Sequence, residues 1–305
     1  MSRDWGTGGA GQFTTKTYTS VYPTINPIPV KLPPSFVVCV VGASRGIGTG
    51  IATSYTKAGA SDLILASRRT SGLEEAAKTC KQLNPEVCVR VIPCDITSAQ
   101  SVAVLAESVR SEFGRLDVLA INSGYSGPCL TRITDVDPST MKQASEVNYI
   151  GTFLCAKFFI PLLLGSPNGA KAFVIVSSMA ALLVRGPIAN AQYCVSKMAQ
   201  LKLMEHVHEE YAPEGLVAYS VHPGAVATEQ AIDTSPEVFV PYLTDSPELC
   251  GAFIVWLTKP GTNTQWLSGR LLSAKWDADE LQARKEEIIE KDLLKTKLVL
   301  GNPLI

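Results

Sequence analysis

Between residues 36 and 274 the chain alternates short, β-rich apolar runs with longer polar runs of helix length. Apolar runs that are nearly continuous are typical of strands buried on both faces of a parallel sheet. The pattern predicts an α/β fold: a single doubly wound Rossmann domain with a mostly parallel seven-stranded sheet and helices on both faces. The predicted strands are residues 36–41, 63–66, 87–92, 118–122, 172–177, 217–222 and 271–274.

One domain accounts for the length, because 305 residues leave little room for a second core. We assign residues 36–305 to this domain. It includes a lid at about 229–246 and a tail at 277–297, which is predicted as an amphipathic helix that covers the domain and is solvated on its outer face. Residues 1–35 form an arm without helical or strand periodicity. The arm is either disordered or an extended strap on the core or on a neighbouring subunit. Its candidate anchors are Phe13, Tyr18, Tyr22 and Ile28.

Composition excludes several classes of function. With 27 basic and 28 acidic residues, the chain has no charge that attracts nucleic acid or an anionic membrane. Eight cysteines without a CxxC pair predict free thiols, and three histidines without ligand spacing predict no metal site. The N-terminus lacks an apolar signal core, and the longest apolar run is interrupted by Lys157 and Pro161. We therefore expect a cytoplasmic protein that binds a small molecule.

A glycine-rich turn follows the first strand and precedes a helical run. Glycines allow the backbone to turn tightly and approach a pyrophosphate, while the helix N-terminus stabilises negative charge. The alternative is a turn that needs glycine for structural reasons alone. The turn predicts a dinucleotide site formed by Gly42, Ser44, Arg45, Gly46, Ile47 and Gly48.

The second strand ends in Ala66-Ser67-Arg68, where an NAD-binding enzyme usually carries Asp or Glu for the ribose hydroxyls. Guanidinium groups match phosphate geometry, so Arg45 and Arg68, with Ser67, favour a 2'-phosphate and therefore NADP(H). The alternative is that both arginines are ordinary surface residues.

Tyr193 and Lys197 are four residues apart and therefore share one face of a helix. A phenol has an ordinary pKa near 10, so it donates a proton at neutral pH effectively only if its anion is stabilised. The charge of Lys197 provides that stabilisation. A lone YxxxK pair is weak evidence, but its position after the fifth strand and before the sixth strengthens it.

Taken in order, these motifs resemble the short-chain dehydrogenase/reductase family of the GxxxGxG, Ser-Tyr-Lys type over residues 36–275. The C-terminal part is similar to fungal members often encoded with secondary-metabolite pathways. The resemblance implies a coenzyme site that extends beyond the glycine-rich turn. Its further residues are Asp95 and Ile96 at the adenine, Asn122 and Gly124 over the coenzyme, and Pro223, Gly224, Val226 and Thr228 at the nicotinamide. Asp95 has a simpler alternative as a helix cap.

The resemblance also implies the catalytic roles. Tyr193 donates a proton to the carbonyl oxygen, Ser178 hydrogen-bonds the same oxygen, and Lys197 also binds the nicotinamide ribose. Asn148 holds a water that links Lys197 to solvent, or else it is a buried helix amide. Ser177 is the alternative to Ser178, because neighbouring residues of a strand point to opposite faces.

The function expected from these residues is NADPH-dependent reduction of a ketone or aldehyde in a small hydrophobic, secondary-metabolite-like substrate. Two alternatives remain: a redox-neutral epimerase, dehydratase or cyclase using the same site, and a non-catalytic NADPH-binding protein. Apolar faces on the helices from Pro138 and Asn190 predict a homodimer or homotetramer. The candidate substrate contacts are Gly124, Tyr125, Leu182 and Leu183, with Phe239, Val240, Tyr242 and Leu243 in a mobile lid or merely covering the core.

Overall fold

The computed structural model describes residues 11–298. Its core is a 7-stranded sheet in the order β3-β2-β1-β4-β5-β6-β7, and every pairing is parallel. This confirms the predicted α/β, Rossmann-type sheet. The strands are β1 Val37–Val41, β2 Asp62–Ser67, β3 Cys88–Pro93, β4 Val118–Ile121, β5 Ala172–Val176, β6 Val217–His222 and β7 Leu271–Ser273.

Helices cover both faces of the sheet, and their bounds are α1 Gly46–Lys57, α2 Thr70–Leu83, α3 Ala99–Phe113, α4 Pro138–Ala144, α5 Gly151–Leu164, α6 Ala191–Tyr211, α7 Glu229–Thr234, α8 Pro247–Thr258, α9 Ala278–Ala283 and α10 Lys285–Glu290. The side chains of β1 alternate between two apolar layers. Val38 and Val40 pack in the layer that includes residues of α1, α2 and α8. Val37 and Cys39 pack in the layer with residues of α3, α5 and α6. Burial on both faces explains why the strand sequences lack polar alternation.

A continuous helical run joins α4 to α5 through a π-helical segment, Ser145–Ile150. This run, Pro138–Leu164, is long and apolar enough to span a membrane by length and composition, with a mean hydropathy of 1.6. Within the described residues, however, 56% of its most apolar window is buried inside the protein, as in the core helix of a soluble protein. Single π turns are frequent at functional sites, and this one contains Asn148.

The described part of the arm, residues 11–35, lies against the domain as a strap. Tyr18 and Tyr22 stack at 3.8 Å between ring centres. The Tyr22 hydroxyl donates to the Trp276 carbonyl and accepts from the Ala278 N–H, both at 2.9 Å. Ile28 is not an anchor, because it is 63% exposed; the buried aliphatic side chains of the arm are Ile25 and Leu32. Residues 1–10 lie outside the described residues.

The C-terminal tail is not the single solvated helix that its charge pattern predicts. It forms α9 and α10, which bury Leu281 and Ile288, and then continues without helical structure. After α10, Arg270 binds the Asp292 carboxylate and the Leu293 carbonyl, while the Leu271 N–H donates to the Leu294 carbonyl at 2.9 Å. The tail therefore covers the free edge of β7. Residues 299–305 of the predicted domain lie outside the described residues.

Candidate active site

The glycine-rich turn lies where the strand order reverses, between β1 and β4, and such switch points form ligand crevices at the carboxyl ends of parallel strands. Gly42 has a φ of 91°, and a Cβ there would lie 2.5 Å from the Ser123 nitrogen. A Cβ at Gly48 would lie 2.1 Å from the Gly42 carbonyl oxygen. Asn122 fastens the turn by donating to that same oxygen at 2.8 Å. Glycine is therefore required at both positions.

Helix α1 starts at this turn with no side-chain cap on its first N–H groups. Such groups bind anions readily, because they combine unpaired donors with the positive end of the helix dipole. Arg45, at the cap position, forms an ion pair with Glu229 at the start of α7. Both side chains are more than half exposed, at 52% and 63%, so this pair is open to competition from a ligand phosphate.

The residues expected at the adenosine end lie around the ends of β2 and β3. The Ser67 hydroxyl donates to the Arg69 carbonyl at 2.8 Å, and Arg68 is exposed beside it. Asp95 accepts from the Thr97 N–H and hydroxyl instead of capping a helix, since Ser98 is the N-cap of α3. The cap alternative for Asp95 is therefore wrong. Ile96 is buried and packs directly over Gly151, the first residue of α5.

The Ser178 side chain lies beside the Tyr193 hydroxyl and, as a hydrogen-bonding neighbour, lowers the pKa of the phenol. Ser178 lies at the N-terminus of a short 3-10 helix, where its oxygen also accepts from the Ala180 N–H at 3.1 Å. Tyr193 is in the first turn of α6, which is capped by Asn190 through a bond of 2.9 Å. The Ser177 hydroxyl is buried and has no hydrogen-bond partner among the described residues. The structure thus pairs Tyr193 with Ser178 and not with Ser177.

Burial shifts both ionisable groups of the YxxxK pair toward their neutral forms. It raises the pKa of Tyr193 to about 12, an effect that the Ser178 hydrogen bond opposes. It lowers the pKa of Lys197 to about 7. The Lys197 nitrogen lies 5.8 Å from the centre of the Tyr193 ring. A protonated Lys197 at this distance favours the Tyr193 phenolate.

Two carbonyl-type oxygens hold the Lys197 ammonium group. Its Nζ donates to the Val176 carbonyl at 2.9 Å and to the Gln200 Oε1 at 3.0 Å. Gln200 in turn donates to the Thr152 hydroxyl at 2.8 Å, which donates to the Asn148 carbonyl at 2.8 Å. These oxygens accept but cannot donate, so they favour the charged form of the lysine. The sequence analysis missed Gln200 and Thr152, although Gln200 is three residues after Lys197 and therefore on the same helix face.

Asn148 is fully buried, and its amide is occupied by neighbouring residues. Its oxygen accepts from the Tyr125 N–H at 2.8 Å. Its nitrogen donates to the Tyr125 carbonyl at 2.8 Å and to the Ser196 hydroxyl at 2.9 Å. The side chain therefore fastens the loop after β4 to α6, and Asn148 reaches Lys197 through its backbone carbonyl, Thr152 and Gln200. The water expected at this position stays a prediction.

The loop of residues 223–228 follows β6 and forms the far wall of the site. Val226 is buried and forms a parallel bridge to Asp245. Thr228 caps α7 by accepting from the Ala231 N–H at 3.1 Å. Because the Thr228 hydroxyl acts as an acceptor there, its own proton is left for a ligand. Pro223 and Gly224 make the turn that leads from β6 into this loop.

The expected substrate contacts divide into two groups. A Cβ at Gly124 would lie 3.6 Å from the Asn148 oxygen and 3.9 Å from the Lys197 nitrogen, so Gly124 and its neighbour Tyr125 are at the catalytic centre. Leu183 packs in a small cluster with Tyr193. Leu182 instead lines a cavity of about 590 Å³ at the β7 edge, under the arm and tail.

The predicted lid contains α7 and a 3-10 turn, Val240–Tyr242, with the rings of Phe239 and Tyr242 stacked at 6.1 Å. A hydrogen bond of 2.9 Å joins the Ser126 and Thr234 hydroxyls, and so connects the loop after β4 to the lid. Leu243 is partly buried. The lid therefore adjoins the catalytic centre, and its mobility stays a prediction.

All eight cysteines are free thiols. Within residues 11–298, no group of three or more His, Cys, Asp or Glu side chains is arranged to hold a metal ion.

Comparison with known proteins places this arrangement among related chains. A family model described as short chain dehydrogenase matches residues 36–238. The short chain dehydrogenase mpl6 of Monascus purpureus is 41% identical over 290 residues, which are 93% of this chain and 96% of that protein.

Two solved structures share the fold at lower identity. A 7α-hydroxysteroid dehydrogenase complexed with NADH and 7-oxo glycochenodeoxycholic acid has a TM-score of 0.70 at 23% identity, covering 83% of this chain and 96% of its own. A short chain dehydrogenase of Shigella flexneri complexed with NADP has a TM-score of 0.71 at 24% identity, covering 80% and 98%. The coenzymes in these two structures differ, so the coenzyme of this chain has to be argued from its own residues.

Proposed function

Because the chain belongs to the short-chain dehydrogenase/reductase family, we propose that it reduces a ketone or aldehyde to an alcohol with NADPH. The observation that carries this proposal is the constellation of the half-buried Ser178 and Tyr193 beside the buried Lys197. The neighbouring Ser178 and Tyr193 hydroxyls define a point at which both can contact one carbonyl oxygen. The carbonyl-held ammonium of Lys197 lies on the same side of α6.

The groups around the glycine-rich turn fit a nicotinamide dinucleotide. The uncapped N–H groups of α1 would hold the pyrophosphate, and the Asp95–Ile96 segment would contact the adenine. Lys197 has a third N–H for the nicotinamide ribose. The Val226 backbone and the Thr228 hydroxyl would contact the carboxamide. The bound coenzyme supplies a hydride to the carbonyl carbon.

Tyr193 donates the proton that the reduced oxygen needs. As the carbonyl oxygen gains negative charge, the Ser178 hydroxyl donates a hydrogen bond to it and the Tyr193 phenol transfers its proton. The Lys197 ammonium stabilises the phenolate that remains. Burial raises the pKa of Tyr193 to about 12, which disfavours the phenolate left after transfer, so a positive charge on Lys197 is needed beside it.

Selectivity for NADPH over NADH is proposed from the end of β2. Arg68 is exposed beside Ser67, and no carboxylate follows the strand to repel a phosphate. The Arg45 side chain is paired with Glu229, and because both are more than half exposed, its guanidinium group can exchange that carboxylate for a phosphate. A 2'-phosphate would gain charge-assisted hydrogen bonds from both guanidinium groups.

The surroundings of the site support two coarser proposals. Apolar side chains around Tyr193 favour a small hydrophobic substrate of secondary-metabolite type. Exposed Tyr149, Ile150 and Phe153 on one helical run favour a homodimer or homotetramer, which light scattering would test. Eight unpaired cysteines fit a cytoplasmic location.

The deciding experiment is a fluorescence titration with NADPH and NADH, followed by a screen of apolar ketones for NADPH consumption. We expect tighter binding of NADPH and one NADP⁺ formed for each alcohol produced. Substrate conversion without net NADPH consumption would indicate a redox-neutral enzyme. NADPH binding without conversion of any substrate would indicate a binding protein.

A further inference from the structure

Asp245, at the end of the lid, is buried against the 223–228 loop. Its side chain has no exposed surface. Its Oδ2 accepts from the Ala225 N–H at 2.6 Å, and its own N–H donates to the Ala225 carbonyl at 3.0 Å. Asp245 therefore holds both polar groups of the Ala225 backbone.

Lys275 completes the contact from the other side. Its Nζ lies 2.6 Å from the Asp245 Oδ1 and 2.8 Å from Oδ2, and 27% of its side chain is exposed. A buried carboxylate is costly unless it is paired and hydrogen-bonded, and Asp245 is both. Gly224, with a φ of 97°, lies directly on this carboxylate, because a Cβ there would be 2.6 Å from Oδ2. The backbone of the 223–228 loop therefore packs directly against the Asp245–Lys275 ion pair.

The same pair is connected to the catalytic strand end. His222, half-buried at the end of β6, accepts from the Met179 N–H at 3.3 Å through its Nδ1. Burial and the Lys275 charge lower the pKa of His222 to about 4, which keeps it neutral and able to accept this bond. Met179 directly follows Ser178.

The arm fixes both ends of the arrangement. The Tyr18 N–H donates to the Lys275 carbonyl at 2.8 Å, and the Ser246 N–H donates to the Thr19 carbonyl at 2.7 Å. Lys275 and the residue after Asp245 are therefore held by one extended segment. The loop between β6 and α7 depends on contacts from three distant parts of the chain.

From this geometry we infer that Asp245 and Lys275 are positioning residues, which set the orientation of the nicotinamide through the 223–228 loop. The inference rests on the proposed function, since it assumes that this loop contacts the nicotinamide carboxamide. Neither residue touches the reacting atoms. Their effect should appear in the nicotinamide part of the coenzyme and not in the adenosine part, whose expected contacts lie at the ends of β2 and β3.

The test compares the binding of NADPH with that of adenosine 2',5'-bisphosphate, which lacks the nicotinamide. In Asp245→Ala we expect NADPH affinity to fall about tenfold, a loss of about 1.4 kcal/mol, and adenosine bisphosphate affinity to stay within about twofold. Asp245→Asn should show a smaller loss, because its amide oxygen can still accept from Ala225. Transfer of deuterium from NADPH labelled on one face should become less stereospecific.

Asp117→Asn is a matched control. Asp117 is also buried, accepts from a backbone N–H, that of Val37 at 2.8 Å, and pairs with a partly exposed cation, Arg115, at 2.7 Å. It lies at the opposite end of the sheet, so it should lower thermal stability without a selective loss of NADPH affinity.

If Asp245→Ala does not fold, Lys275→Met gives the same comparison, with Lys275→Arg expected to restore NADPH affinity. Equal losses for both nucleotides, or no loss for either, would overturn the inference alone. A wild-type chain that binds adenosine bisphosphate and NADPH equally well, without catalysis, would overturn the proposed function as well.

Discussion

The two halves of the proposed coenzyme site are built differently. The adenosine half comprises the glycine-rich turn, Ser67, Arg68 and Asp95, and the side-chain hydrogen bonds of Ser67 and Asp95 join residues two to six apart in sequence. The nicotinamide half comprises Ser178, Tyr193, Lys197 and the 223–228 loop. Its contacts join residues 20, 21 and 43 positions apart, and the arm adds longer ones.

This difference separates what a short motif encodes from what the completed fold supplies. In the adenosine half the backbone conformation itself forms the site, so glycines and exposed side chains suffice. In the nicotinamide half, charges are buried and must be paired, so residues from distant segments are needed. We therefore expect substitutions in the first half to change coenzyme choice, and substitutions in the second to change catalysis and stability.

The largest effect is expected for Tyr193→Phe. Removing the proton donor should lower kcat by about 1000-fold, while NADPH affinity stays nearly unchanged, because the ring still packs in the Leu183 cluster. Steady-state NADPH oxidation and fluorescence titration measure the two quantities. Tyr211→Phe, at the far end of α6, is the control. Activity retained in Tyr193→Phe would remove the basis of the assigned chemistry.

The double substitution Arg45→Ala with Arg68→Ala tests the adenosine half alone. Loss of charge-assisted hydrogen bonds, about 1.5–3 kcal/mol each in favourable cases, should weaken NADPH binding by about 30-fold or more and leave NADH binding nearly unchanged. Arg69→Ala, at the exposed neighbouring position, should change the affinity for neither coenzyme. An equal loss for both coenzymes would contradict the proposed 2'-phosphate contact.

Lys197→Met should reveal the cost of the buried ammonium as a pH dependence of stability. The pKa of Lys197 is lowered from 10.5 to about 7 by burial. Between these values the unfolded chain binds more protons, so the free energy of unfolding of the wild type rises with pH, by up to about 1.4 kcal/mol per pH unit from this group. The methionine variant lacks this contribution. The difference in melting temperature between the two proteins should therefore change steadily from pH 7 to 10, and a constant difference would show that Lys197 is not shifted.

Gln200→Leu removes a hydrogen-bond acceptor from Lys197 and replaces it with a side chain of similar volume. Loss of a hydrogen bond to a charged group costs about 1.5 kcal/mol or more, so we expect kcat to fall about tenfold. Affinity for adenosine 2',5'-bisphosphate should not change. An unchanged kcat and pH profile would mean that the Val176 carbonyl alone positions the lysine.

The smallest effect is expected in the arm. Tyr22→Phe leaves the Trp276 carbonyl and the Ala278 N–H without their partner hydroxyl, which should lower the free energy of unfolding by about 1–3 kcal/mol. Urea denaturation measures this value. Coenzyme binding in the adenosine half should be unaffected, and no change in stability would show that the strap contributes little.

The strands and the glycine-rich turn could be predicted from the sequence, because local residue patterns determine them. The predicted bounds of the seven strands agree with the structure to within one residue at each end, because continuous apolar runs are uncommon outside buried strands. The glycine-rich turn is recognisable because its backbone leaves no room for a Cβ at Gly42 and Gly48. Gln200 was missed because the sequence around a helical glutamine does not indicate whether its side chain is buried. Asp245 and Lys275 were missed because they come together only through tertiary contacts. The tail was predicted as one helix because the spacing of its charged residues is helical. That spacing carries no information on the contacts that Arg270 makes with the tail backbone.

The arm has a consequence for how this protein is made. The partners of Tyr22, the Trp276 carbonyl and the Ala278 N–H, are synthesised 254 and 256 residues after it. At about 5–20 residues per second, the ribosome needs roughly 10 to 50 seconds to make the intervening chain. We expect the aromatic side chains of the arm to lack their binding surface during that interval. The arm therefore makes the outer support of the nicotinamide half depend on the order in which the chain is synthesised.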